Sequence, residues 1–169
     1  MSTDQDLVKD FIDESKKLID ECMNLLEELE QSPQQYKSLD IYGNKMDRIM
    51  GTSDNIKFLF PEKTAFSLIT DYTKICKTVA YNTTMINNNV SFVTTVISFL
   101  MDATETLALL IRKCETTAEE AKAQFNPAFI ERLKWLSGKF KEDYKGSVGL
   151  GRDAMNQDSI NDLLKKMGL

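Results

Sequence analysis

The side chains in this sequence that could do chemistry are carboxylates that lie within one helical turn of a hydroxyl or an amide. Asp102 and Thr106 are four residues apart, so in a helix they share one face. Asp54 is followed directly by Asn55, which places a carboxylate beside an amide. Each pair could hold and orient a water molecule, or it could belong to the solvated face of an ordinary helix. Other acid–amide pairs at the four-residue spacing are Asp20 with Asn24 and Asp40 with Asn44.

Chemistry that needs histidine is excluded, because the chain contains none. Imidazole-based acid–base catalysis, phosphate transfer through histidine and most catalytic zinc sites therefore have no residue to carry them. The sequence also shows no glycine-rich phosphate loop, metal-ligand cluster or pair of nucleophile and base, so we expect no cofactor of its own. Cys22, Cys76 and Cys114 fall in apolar helical stripes and are predicted to be buried thiols of a reducing compartment.

Composition and charge narrow the class of protein. The chain has 169 residues, 42% of them hydrophobic and 28% charged, which is typical of one globular domain. Its net charge is −5 and it has no basic block, so binding to nucleic acid is not expected. No apolar run approaches the length that would cross a bilayer, and no signal peptide opens the chain. We therefore expect a cytoplasmic protein without a membrane partner.

Hydrophobic spacing predicts an all-α protein. Glycine and proline are scarce (7 and 3), and apolar residues recur at spacings of three and four. The predicted long helices cover residues 3–31, 38–60, 64–86 and 91–114. Asn126-Pro127 begins a shorter fifth helix. Long helices with short connections favour an antiparallel up-down four-helix bundle, with an extra short C-terminal helix, over residues 1–140. The predicted seam of the first helix is Leu7, Phe11, Ser15, Leu18, Cys22, Leu25 and Leu29.

The C-terminal part of the sequence is predicted to be separate from the bundle. Residues 141–154 are polar and glycine-rich, which is typical of a flexible linker, and residues 155–169 form a tethered amphipathic peptide. Asp158 or Ser159 can cap its helix. Apolar residues at i, i+3, i+4 and i+7 share one face, namely Ile160, Leu163, Leu164 and Met167. A helix of about ten residues is marginal alone in water, so we expect it to form in a groove on a partner and not on its own domain.

The run Gln157-Asp158, followed by Asp162-Leu163-Leu164, resembles the C-terminal peptide of the chemotaxis phosphatase CheZ and the N-terminal segment of the flagellar switch protein FliM. Met167-Gly168-Leu169 matches the Leu-Gly-Phe ending of CheZ, whereas Asn156 and Asn161 depart from the usual Ser and Asp. In both families this peptide binds phosphorylated CheY. The resemblance implies a phosphorylated CheY-type response regulator as partner. The contact residues that it implies are Gln157, Asp158, Ile160, Asp162, Leu163, Leu164, Met167 and Leu169.

The body of the chain, residues 7–114, resembles the histidine phosphotransfer domain at the N-terminus of CheA kinases. Residues 46–55 fall where that family has Arg-x-x-His-x-x-Lys-Gly. Gly51 then stands at the histidine position, Asp54 at the lysine and Asn55 at the glycine. The resemblance therefore implies a phosphotransfer fold that cannot transfer phosphate. An unrelated four-helix bundle is the alternative, because such bundles converge freely.

The resemblance to CheZ also implies a catalytic pair, since CheZ carries an acid and an amide one helical turn apart. Asp102 and Thr106 match that spacing with Thr in place of the amide, and Asp54 with Asn55 is the second choice. The predicted function is a CheZ-like monomer or homodimer that binds the phosphorylated regulator and promotes its dephosphorylation, with Mg²⁺ held by the regulator's receiver domain. The alternatives are a non-catalytic, histidine-less phosphotransfer-like module that sequesters the regulator, and a plain helical scaffold whose tail packs on its own fifth helix.

Overall fold

The structure is a computed structural model and describes residues 2–143 and 157–169. All regular secondary structure in these residues is helical. These residues form seven α-helices and one 3-10 helix, with no strand, so the all-α prediction is confirmed. The helices are α1 Ser2–Gln31, the 3-10 helix Pro33–Ser38, α2 Leu39–Leu59, α3 Ala65–Thr84, α4 Val90–Arg112, α5 Ala118–Lys122, α6 Pro127–Asp143 and α7 Gln157–Lys166.

The ends of the first four α-helices lie within two residues of their predicted limits, because local signals set them. Asn89 caps α4, where its side-chain oxygen accepts a hydrogen bond of 3.0 Å from the Phe92 amide. Two short helices, the 3-10 helix and α5, were not predicted. Thr117 and Glu120 begin α5 with a capping box, in which each side chain accepts from the other residue's backbone N–H.

The buried apolar side chains form one continuous core. Helix α2 packs along α3, α1 contacts both α2 and α4, and α3 also contacts α4. Helix α4 buries one face along its whole length, because its apolar residues recur at regular spacing there. The buried residues of that face include Val93, Ile97, Leu100, Thr104, Leu107 and Ile111. The largest fully buried side chains from α1 to α4 are Phe11, Tyr42, Phe66, Tyr72 and Phe99. The three cysteines are also buried, as predicted.

The predicted seam of α1 is wrong at two positions. Leu7 is 41% exposed and Leu25 is only half-buried, whereas the neighbouring Val8 and Leu26 are buried. At 3.6 residues per turn, Val8 and Leu26 lie on the same edge of the apolar stripe as the buried Ile19, and Leu7 and Leu25 lie on the opposite edge. The packing of the other helices covers the edge with Val8 and Leu26 fully and the edge with Leu7 and Leu25 only in part. The spacing of apolar residues along α1 does not show this difference.

Helix α4 corrects the expectation that no apolar run reaches membrane-spanning length. It has 23 residues and is long and apolar enough to cross a membrane by length and composition, as the one such helix in the described part of the chain. Half of its most apolar window is buried inside the protein. A central helix of a folded core has the same composition, so we assign α4 to the core.

The boundary between the body and the predicted linker also differs from the prediction. Helix α6 continues to Asp143, three residues into the segment 141–154. The rest of that segment, from residue 144, lies outside the described residues.

Two glycines of α2 provide a matched test of the α2–α3 packing. A Cβ at Gly43 would lie 2.5 Å from Cε1 of Tyr81 on α3, whereas a Cβ at Gly51 meets nothing within 4 Å. We expect Gly51→Ala to raise the free energy of unfolding by about 0.5–1 kcal/mol, since alanine restricts the unfolded chain and favours the helix. Gly43→Ala is expected to lower it by about 1 kcal/mol or more, because the ring of Tyr81 must move. Urea unfolding of both variants measures the difference, and equal stabilisation by both would contradict the close approach.

Candidate functional site

Helix α7 lies against the body of the protein, with its apolar face inward. It contacts α6 and α3. Its four apolar stripe residues, Ile160, Leu163, Leu164 and Met167, are each 8% exposed or less. The opposite face carries Asp162, Lys165 and Lys166, which are exposed. The side chains of Gln157 and Asp158 lie outside the described residues.

The docked position of α7 corrects the prediction of a tethered helix whose apolar face is free. A glycine-rich sequence before a helix gives no information on the surface against which that helix packs. Because α7 is covalently attached to the body, its local concentration there is high, so its apolar stripe binds the body when a matching surface exists. Helices α3 and α6 provide that surface.

The Met167-Gly168-Leu169 ending stops α7 with a Schellman motif. Gly168 has a φ of +78°, a left-handed conformation that glycine adopts without steric cost. The Gly168 amide donates to the Lys165 carbonyl and the Leu169 amide donates to the Leu164 carbonyl, both at 2.9 Å. Leu169 is half-buried and packs against the core. A Cβ at residue 168 would lie 2.9 Å from Nζ of Lys122, so the body also approaches α7 closely at this point.

One ion pair joins the polar face of α7 to the body. Nζ of Lys166 lies 3.3 Å from Oδ1 of Asp71 on α3. The Asp71 side chain is 8% exposed, whereas that of Lys166 is 60% exposed. A carboxylate that is largely removed from water needs a charged or hydrogen-bonding partner, and the tail supplies one. The two residues are 95 positions apart, so no local pattern in the sequence pointed to this pair.

Asp102 and Thr106 lie one turn apart on α4, as predicted, but each already has a partner. The Asp102 carboxylate forms an ion pair with the guanidinium of Arg132 on α6. The central carbon of that guanidinium, Cζ, lies 5.6 Å from the ring centroid of Phe99. The Thr106 hydroxyl donates to the Asp102 backbone carbonyl at 3.0 Å. The ion pair is about half exposed, so it contributes little and can open at low cost, on the order of 1 kcal/mol or less.

A buried hydroxyl network lies beneath this face of α4. Tyr72 donates to the Ala103 carbonyl at 2.6 Å, and the hydroxyls of Tyr42 and Thr104 are 2.8 Å apart. Burial raises the pKa of Tyr72 well above its usual value, and the neighbouring Cys76 raises it further, while a hydrogen bond with Thr106 lowers it. The network therefore stays protonated at neutral pH and serves to fix α2 and α3 against α4.

Asn55 lies at a groove between α1 and the C-terminal half of α2, and Asp54 precedes it on α2. Asp54 forms an ion pair of 2.6 Å with Lys57 on its own helix. Asn55 is exposed and lines the groove, which has a volume of about 420 Å³. Three large apolar residues at the groove are exposed, Leu7 at 41%, Phe58 at 85% and Leu59 at 57%. Asn55 of the second candidate pair thus lies beside an apolar surface, whereas Asp102 and Thr106 lie beside an ion pair.

The described residues contain no group of three or more acidic or cysteine side chains that could hold a metal ion. No protein-family model, curated protein or solved structure matches the chain.

Proposed function

We propose that this protein is a CheZ-like signalling protein that binds a phosphorylated CheY-type response regulator through α7 and promotes the regulator's dephosphorylation. The observation that carries the proposal is α7 itself. Its apolar stripe lies wholly on one face, its charged residues lie on the other, and Gly168 ends it two residues after Lys166. This is the form in which an amphipathic helix enters a groove on a partner.

The packing of the body supports the second part of the resemblance, an antiparallel four-helix arrangement of the phosphotransfer type. Helices α1 to α4 contact one another in cyclic order, α1 with α2, α2 with α3, α3 with α4 and α4 with α1. The connections between them are short, which favours antiparallel neighbours. Gly51 lies at the position of the family's histidine, so the proposed body accepts no phosphate.

Asp102 and Thr106 are the residues that we propose for dephosphorylation. Water attacks the aspartyl phosphate of a response regulator in line with the bond that breaks, so a helper protein accelerates the reaction by orienting that water. In the proposal the Thr106 hydroxyl orients the water and the Asp102 carboxylate holds a lysine of the regulator. Mg²⁺ belongs to the regulator. Asp102 must first exchange Arg132 for its new partner, and the exposure of the pair permits this exchange.

Substitution of the pair tests the activity. We expect the full chain to shorten the lifetime of phosphate on a CheY-type receiver, and Asp102→Ala and Thr106→Ala each to reduce the acceleration on the order of 100-fold through loss of water positioning. Thr95→Ala is the matched control, because the Thr95 hydroxyl donates to the Ser91 carbonyl on α4 in the same way as that of Thr106. The rate of phosphate loss is the measurement.

The outcomes separate the site from the activity. Acceleration that neither substitution reduces would exclude Asp102 and Thr106, and Asp54 and Asn55 would be tested next. No acceleration, with regulator binding intact, would end the enzymatic part of the proposal.

The second candidate function is binding without catalysis, in which a histidine-less phosphotransfer-like module sequesters the regulator. One observation favours it. Both polar side chains of the proposed catalytic pair are engaged, Asp102 by Arg132 and Thr106 by the backbone of its own helix. A catalytic pair on an exposed face needs free donors and acceptors, whereas a binding module does not. The decay measurement distinguishes the two functions directly.

A further inference from the structure

We propose that the docked position of α7 is an autoinhibitory contact, which hides the surface that captures the regulator until α7 leaves α3 and α6. This inference rests on the proposed function, since it names the regulation of the same binding helix. Its physical basis is that docking and capture use the same side chains.

Helix α7 has a single apolar stripe. The four stripe residues are buried against the body, and the remaining described side chains of the helix are polar or charged. An amphipathic helix enters a groove with its apolar face, so a partner can bind α7 only through the residues that the body now covers. Binding to the body and binding to the regulator are therefore mutually exclusive.

The ion pair between Lys166 and Asp71 gives the docked state a polar contact besides the apolar ones. Asp71 lies on α3 and not on the tail, and its carboxylate is largely buried where α7 docks. When α7 leaves, Asp71 loses this ammonium partner. The pair therefore favours the docked state over the released one. Because Asp71 belongs to the body, it can be altered without changing the peptide that would bind the regulator.

Competition of this kind lowers the measured affinity by a defined factor. If only a fraction of molecules has α7 released, the apparent dissociation constant is the intrinsic one divided by that fraction. A change that weakens docking raises the fraction and tightens capture, without any new contact to the regulator. The factor applies equally to phosphorylated and unphosphorylated regulator, so the docked state lowers the affinity for both forms alike.

The test compares the full chain with Asp71→Asn, which keeps the size of the side chain but removes its charge. We expect Asp71→Asn to bind a phosphorylated CheY-type receiver about fivefold more tightly, the lower end of usual coupling between sites. The backbone amides of residues 160–169 are expected to exchange hydrogen faster by a similar factor. Asp71→Lys, which places a second ammonium against Lys166, is expected to increase both effects.

Asp47→Asn is the matched control, because Asp47 forms an interhelical ion pair with Lys77 that involves no residue of α7. It should change neither the affinity nor the exchange of the tail. Circular dichroism of each variant confirms that the body is folded. The affinities come from fluorescence anisotropy with a labelled receiver.

The outcomes keep the two proposals apart. Receiver binding that is equal in the unmodified chain, Asp71→Asn and Asp71→Lys would overturn the autoinhibitory contact and leave the proposed function standing. Faster exchange of the tail in the Asp71 variants, with no binding of the phosphorylated receiver by any of them, would instead overturn the proposed function. Tighter binding together with faster exchange in the Asp71 variants, and neither in Asp47→Asn, is the result that supports the inference.

Discussion

Deleting residues 155–169 is expected to lower the melting temperature of the protein by about 5–15 °C and to abolish regulator binding. The deletion removes four buried apolar side chains and exposes the surface of α3 and α6 that they cover. The entropy cost of ordering the tail offsets much of the free energy that this burial contributes. We therefore expect the deletion to lower the free energy of unfolding by about 2–4 kcal/mol. A change of 1 kcal/mol shifts the melting temperature of a protein this size by about 2–4 °C. Thermal unfolding followed by circular dichroism measures the shift.

The control for the deletion is a substitution on the outer face of the same helix. Lys165 is exposed, so Lys165→Ala should leave the melting temperature unchanged. Lower stability with regulator binding intact would assign the tail to the fold alone, which is the scaffold alternative. An unchanged melting temperature would contradict the docked position of α7.

Alkaline pH is expected to destabilise the protein by about 4 kcal/mol between pH 7 and pH 10, through its three cysteines. Burial raises the thiol pKa from 9.0 to about 12 at Cys22 and Cys76, and to about 11 at Cys114. Below pH 9 the folded and unfolded states both keep the thiol protons. Above pH 9 the unfolded chain releases protons that the folded chain retains, so the free energy of unfolding falls until the pH reaches the folded-state values. Each thiol contributes roughly 1 to 2 kcal/mol by pH 10.

Urea unfolding at several pH values measures this loss, and Cys114→Ala isolates the part due to one thiol. Lysines also titrate near pH 10, but they are the same in both proteins and their contribution cancels in the comparison. We expect the variant to lose roughly 1 to 2 kcal/mol less than the unmodified chain between pH 7 and pH 10. Equal losses would show that the Cys114 thiol titrates alike in the folded and unfolded states.

Local patterns predicted the helices well because the signals that set them are local. Asn89 caps α4 through a contact three residues away, and Pro33 follows the residue at which α1 gives way to the 3-10 helix. The seam of α1 was predicted less accurately, since Leu7 and Val8 are both next to the stripe and only the packing of other helices decides between them. Periodicity shows that a face is apolar but not which edge of it is covered.

The partners of the candidate site residues could not be predicted, because they come from distant parts of the chain. Arg132 lies 30 residues after the carboxylate of Asp102 that it contacts, and Lys166 lies 95 residues after Asp71. The spacing of Asp102 and Thr106 correctly places both on one face of α4, yet it gives no information on what faces them. Likewise, the stripe of α7 predicts that the helix binds a surface, but it does not identify the surface.

The helix stop at Gly168 has one more consequence, which concerns modularity. Both hydrogen bonds of that stop join residues between Leu164 and Leu169, so no part of the body contributes to them. The signal that ends α7 therefore lies within the sequence of α7 itself and is kept on any other surface to which the helix docks. A short segment that contains its own helix stop can be fused to an unrelated protein and still end at the same residue. The sequence of the body can then vary without changing where the helix ends.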